Sequence, residues 1–177
     1  WQDLSSVGGY WRLIYVDAWG VNTTYTPDPT GWTGASVTVC NNQRMLGGYG
    51  ECGSGCTLQK TFDNLPPHTK VMVNVHYFSI DSWDQNVECG KDYVLLKLDD
   101  VPVAYAFPSS PFGDEIIIRN TDSSFCGTNE WIDIGPEVIS GVMNHTASTL
   151  RVAIVSGVNQ SSTDESLGIV KVEVWVY

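Results

Sequence analysis

The sequence lacks most of what marks a nucleic-acid binder, a membrane protein or a catalyst. Only 9 of its 177 residues are Lys or Arg, against 20 Asp and Glu, giving a formal charge of −11. Nucleic acid needs clustered cations to meet its phosphates, so it is excluded as a partner. No apolar run approaches the ~18 residues that cross a bilayer as a helix, so no membrane span is expected. Gly-x-Ser-x-Gly elbows and phosphate loops are missing, and His68, His76 and His145 are not at zinc-ligand spacing. No two cysteines form a Cys-x-x-Cys pair, which removes the zinc ribbon. The reading is therefore a protein that is not an enzyme. A hydrolase would need a Ser-His-Asp set, or two carboxylates ~5 to 9 Å apart, that meet only in space.

Helical periodicity is also scarce, and what is present repeats every two residues. Val71, Val73, Val75 and Tyr77 alternate with Met72, Asn74, His76 and Phe78, and Val94, Leu96 and Leu98 alternate with Tyr93, Leu95 and Lys97. The pattern returns at Leu150, Val152 and Ile154, and at Val170, Val172, Val174 and Val176. Each is a half-buried strand. The stretch from Glu137 to Met143 is rich in β-branched residues and contains Gly141, which makes it a further strand rather than a helix. Turn signals at Leu65-Pro66-Pro67-His68, Asp99-Asp100, Pro108-Ser109-Ser110-Pro111 and Gly135-Pro136 separate these segments. Strands with one apolar face bury it by stacking two sheets. The expected fold is all-β, a two-sheet antiparallel β-sandwich, jelly-roll-like, forming a single domain over residues 1–177.

Five cysteines, Cys40, Cys52, Cys56, Cys89 and Cys126, accompany three glycosylation sequons, at Asn22, Asn144 and Asn159. Together they point to an oxidising, secretory environment, hence a secreted or cell-surface location. The chain begins at Trp1 with no basic or apolar leader, as expected once a signal peptide has been removed. Cys52 and Cys56 flank Gly53-Ser54-Gly55, a loop flexible enough to let them pair.

Two acidic pairs stand at strand ends. Asp81 and Asp84 lie in Ile80-Asp81-Ser82-Trp83-Asp84, and Asp164-Glu165 directly precedes the last strand. Hard cations take several oxygen ligands at such ends, so calcium is the candidate cofactor, with Asp81, Asp84, Asp164 and Glu165 as ligands. The competing reading is that Asp81 and Asp164 cap turns through backbone amides. Seven tryptophans are many for this length. Trp1, Trp11, Trp19 and Trp175 are candidates for exposure and for stacking on glycans or partner proteins, whereas Trp83 and Trp131 belong in the core.

Met45-Leu46-Gly47-Gly48-Tyr49, Leu65-Pro66-Pro67-His68, Tyr77-Phe78-Ser79-Ile80-Asp81-Ser82-Trp83-Asp84 and Asp164-Glu165-Ser166-Leu167-Gly168-Ile169 together resemble a module of ciliate and other protist cell-surface proteins. The resemblance covers roughly residues 32–177. It implies a β-sandwich in a larger adhesive or structural protein, with no catalytic residue. Phe125-Cys126-Gly127, and Cys40 after Gly31-Trp32, belong to the same pattern, which implies a Cys40–Cys126 bridge and leaves Cys89 unpaired or joined to another chain.

Two functions follow. The first is an extracellular structural or adhesive protein that self-associates into filaments or a coat, for which the odd cysteine and a strand running to Tyr177 are the motives. The second is a calcium-dependent carbohydrate-binding domain.

Overall fold

The computed structural model describes residues 9–20, 28–84, 90–107, 126–128, 131 and 133–177. Trp1, Asn22, Cys89, Phe125 and the turn expected at residues 108–111 lie outside the described residues. Among the described residues there are ten strands: β1 (Arg12–Ala18), β2 (Val37–Cys40), β3 (Gln43–Gly47), β4 (Thr57–Phe62), β5 (Lys70–Asp81), β6 (Val94–Leu98), β7 (Val101–Ala106), β8 (Ile134–Asn144), β9 (Leu150–Ser156) and β10 (Glu165–Val176).

They form two antiparallel sheets. One has the order β2-β3-β10-β5-β8, with β1 also paired to β10, and the other is β4-β9-β6-β7. From β3 to β10, consecutive strands cross between sheets except at the β6–β7 hairpin, giving the orders 3-10-5-8 and 4-9-6-7 of a jelly roll. The fold is a two-sheet antiparallel β-sandwich. β10 is bonded along both edges, to β5 on one side and to β1 and β3 on the other, so the last strand has no free edge for exchange with another subunit.

The period-two residues line the space between the sheets. Val71, Val73, Val75 and Tyr77 of β5 and Val172, Val174 and Val176 of β10 face Val94, Leu96 and Leu98 of β6 and Leu150, Val152 and Ile154 of β9. The alternation does not hold along the whole of β10. Its register with β5 shifts between Ile169 and Lys171, so Leu167 and Ile169 join the main core while Val170 packs on the other face. There Cys40, Met45, Phe78 and Ile80 make a second cluster, covered by the bridge between Cys40 and Cys126. Both faces of the sheet are buried at this end, and a one-residue bulge is how a strand supplies apolar groups to both. A second bridge joins Cys52 to Cys56.

Imidazoles clasp the opposite end. His68 Nδ1 donates to Pro66 O at 2.5 Å, and His68 Nε2 accepts from His145 Nδ1 at 2.7 Å. His145 Nε2 lies 3.1 Å from Asp99 Oδ2 in the β6–β7 turn. The two imidazoles thereby hold the loop before β5 against the end of β8. Asn144, which ends β8, and Asn159 are exposed.

Leu96 is fully buried at the centre of β6, between β7 and β9. Leu96→Ala is expected to cost about 2–5 kcal/mol in urea unfolding, through lost transfer free energy and the cavity left behind.

Candidate cation site

The acidic end of the sandwich is built by three strand termini. β5 ends at Asp81, which adopts a left-handed conformation (φ 65°) and turns the chain out of the sheet. Trp83 then anchors the exit: it is buried, and its Nε1 donates to Ser166 O at 3.0 Å. Ser82 Oγ donates to Asp164 Oδ1 at 2.9 Å, and Ser82 N to Asp164 O at 3.3 Å. With Trp83 seated and Ser82 tied, Asp84 projects toward the start of β6. Asp92 N donates to Asp84 O at 2.9 Å, and Asp84 N donates back to the Asp92 carboxylate. Glu165 opens β10, and its Oε2 accepts from Gln160 N at 3.2 Å.

Carboxylate oxygens of Asp84, Asp92 and Glu165 all lie within 4.8 Å of one another. Asp92 is 1% exposed and Glu165 0%, and no N–H or hydroxyl among the described residues reaches Asp92 Oδ1 or Glu165 Oε1, while the two carboxyls face each other closely enough to share a proton. No Lys, Arg or His forms an ion pair with any of the three among the described residues. Burying carboxylates without compensation costs several kcal/mol per charge, so such a group takes up either a proton or a cation. Burial, followed by the facing Asp92 carboxylate, pushes Glu165 up to about 8. Burial is also the main cause that raises Asp92 to about 6. Asp84 is raised by burial and then by Asp164. Three carboxylate ligands without basic partners suit a hard divalent cation such as calcium, with water and backbone oxygens completing its shell.

Two of the four expected ligands, Asp84 and Glu165, meet in this cluster, and the other two are engaged elsewhere. Asp81 Oδ1 accepts from Thr128 N at 3.1 Å and from Thr128 Oγ1 at 3.2 Å, while Asp81 N donates to Asp133 Oδ1 at 3.0 Å. A side chain at Gly127 would meet Asp81 Oδ2 at 2.0 Å, so glycine is what lets this loop close on the carboxylate. Asp164 caps Ser82. The third member of the cluster, Asp92, was not among the expected ligands. The signal that finds it is parity: Asp92, Val94, Leu96 and Leu98 occupy alternate positions entering β6, so an acid stands where the pattern calls for core. Glu165 holds the same relation to Leu167 and Ile169.

Trp83 is buried as expected, Trp131 is half-buried instead of in the core, and the described tryptophans expected to be exposed are more covered than that. Trp19 is buried, Trp11 is half-buried against Tyr177 with ring centroids 5.5 Å apart, and Trp175 is half-buried beside Glu173.

No family model matches the sequence, and no curated protein does. Among solved structures, dimeric latent PorU from Porphyromonas gingivalis superposes with a TM-score of 0.51 at 15% identity, covering 94% of this chain and 12% of that one. The likeness is one of fold. The sugar-binding EclA C-terminal domain matches at TM-score 0.42 and 18% identity, covering 86% of this chain and 83% of that one. The C-terminal CBM6 of LamC from Zobellia galactanivorans matches at TM-score 0.41 and 10% identity, covering 90% and 98%. These two share only the outline of the chain.

In the metal-free protein, Asp92 and Glu165 hold protons more tightly folded than unfolded. The stability this adds is complete in acid and is lost as pH rises through about 6 and then about 8. The melting temperature in chelator is therefore expected to fall between pH 5 and pH 8.5, and Asp92→Asn with Glu165→Gln to flatten that slope, as read by scanning calorimetry across the range.

Proposed function

We propose that this chain is a calcium-dependent carbohydrate-binding domain of a secreted or cell-surface glycoprotein. The observation that carries the reading is the convergence of Asp84, Asp92 and Glu165, two of them buried with a carboxylate oxygen that no N–H or hydroxyl reaches among the described residues. Such an arrangement is costly for a folded protein unless protons or a cation neutralise it, and a divalent ion neutralises all three carboxylates at once. A cation there joins the ends of β5, β6 and β10, and so fixes the loops that ligands meet.

Several features support a hydroxylated ligand. A cleft of about 310 Å³ is lined by Glu51, Ser54, Gln160, Ser161 and Ser162, groups that exchange hydrogen bonds with sugar hydroxyls. Its Gln160 side shares a loop with the cation cluster, because Gln160 N is bonded to Glu165. Two disulfides and exposed sequon asparagines at Asn144 and Asn159 support the extracellular setting. The resemblance to protist surface modules supports it too. No helix is long and apolar enough to cross a membrane among the described residues.

Calcium at about 100 times its Kd is expected to stabilise the native state by ~2.7 kcal/mol, a rise of ~5–10 °C in Tm for a domain of this size. EDTA should reverse the rise, and Asp92→Asn with Glu165→Gln should abolish it. An identical Tm in calcium and in EDTA would remove the metal from the proposal. A glycan array is expected to give hits that vanish with chelator, and an array without hits would remove the sugar.

A further inference from the structure

Two of the most exposed aromatic side chains of the described residues lie together. Tyr105 is 57% and Phe107 55% exposed, and both flank Tyr93 with ring centroids at 5.7 and 6.4 Å. Tyr105 lies in β7, Phe107 directly follows it, and Tyr93 directly precedes the facing β6. Leu95 pairs with Tyr105 and Val94 with Ala106, and since Val94 and Ala106 turn into the core, the rings turn outward on the edge of the four-stranded sheet. Tyr93 is seated against Gly157. Gly157 N donates to Tyr93 O at 2.8 Å, and a Cβ at position 157 would stand 2.5 Å from the tyrosine ring. The ammonium of Lys91 lies 5.9 Å from the Phe107 centroid.

We propose that Tyr93, Tyr105 and Phe107 form the stacking platform for a sugar ring, and that the cation cluster holds this platform in place. The proposal rests on the calcium-dependent glycan-binding reading above. The physical link is one residue long: Asp92 contributes a carboxylate to the cluster and Tyr93 contributes a ring to the platform, so fixing the first fixes the backbone of the second. Pyranose C–H groups carry partial positive charge and meet the negative face of an aromatic ring, while the sugar hydroxyls stay at its wet edge. Tyr105 and Phe107 are two positions apart along the chain, ~7 Å, a distance one pyranose spans. The interplanar angles, 54° for Tyr93–Tyr105 and 61° for Tyr93–Phe107, incline both outer rings steeply to Tyr93, so the surface is a set of angled walls and not a flat plate.

Size decides between a glycan and a protein as occupant. A stable protein interface takes ~800 Å² from each partner, with a packed apolar centre. Three rings, one of them half-buried, and one lysine fall well short of that, and they match one or two sugar units.

Affinity electrophoresis of the whole chain tests this, in calcium-containing gels cast with xylan, β-glucan, galactan or mannan. Wild type is expected to be retarded by at least one of them. Tyr105→Ala with Phe107→Ala should weaken that retardation ~10-fold or more and keep the full calcium-induced rise in Tm. Tyr105→Phe and Phe107→Tyr, which retain the rings, should keep binding. A double alanine variant retarded as strongly as wild type overturns the platform and leaves the glycan reading standing. Wild type that passes every gel unretarded overturns both, and leaves the rings to a protein partner.

Discussion

The ladder between β5 and β10, which runs from Val71 opposite Val176 to Asp81 opposite Glu165, is the contact on which the rest of the molecule depends. For most of its length it places valines between the sheets, and this apolar layer drives the stacking of one sheet on the other. Beyond the bulge between Ile169 and Lys171 the inward alternation resumes one residue out of phase, and the residue type changes. Glu165 opens β10 at a core-facing position, and Asp92 enters β6 at another. The core and the candidate site are therefore one construction, with carboxylates substituted for hydrocarbon in its last layer.

That substitution sets the chemistry. Hydrocarbon at the sandwich end would be stable and inert, while carboxylates there make the local free energy depend on what neutralises them. A proton does so at Glu165 up to about pH 8, and a divalent ion would compete with it for the same oxygens. Asp81 and Asp133 add further negative charge nearby, yet each is answered by backbone or hydroxyl donors from residues 81, 126 and 128. Asp92 and Glu165 each accept from a backbone N–H as well, so what sets them apart is the second oxygen, which no N–H or hydroxyl reaches among the described residues.

Much of the fold was legible in the sequence because period-two alternation is a direct consequence of strand geometry. Val71 to Tyr77, Val94 to Leu98 and Leu150 to Ile154 were read correctly for that reason, and the β-branched run from Glu137 to Met143 is a strand as its composition suggested. Alternation misled at Val170, where a bulge reverses which side chain points inward. A bulge leaves no mark in the spacing of residues when both faces of the sheet are apolar. The site was half legible. Asp84 and Glu165 stood out as members of acidic pairs, but Asp92 is solitary in sequence and joins them only through strand order. Stacking residues were sought among the tryptophans, whereas the exposed rings are tyrosine and phenylalanine on an edge strand, a position fixed by topology.

The link between Cys40 and Cys126 has a sequence separation of 86 and encloses β3 through β7 in one covalent ring. A single cut anywhere in that span opens the ring without parting the chain. Both halves of the jelly roll, and every carboxylate of the cation cluster, then stay on one molecule. Nicking by a protease within that span is thereby separated from dissociation.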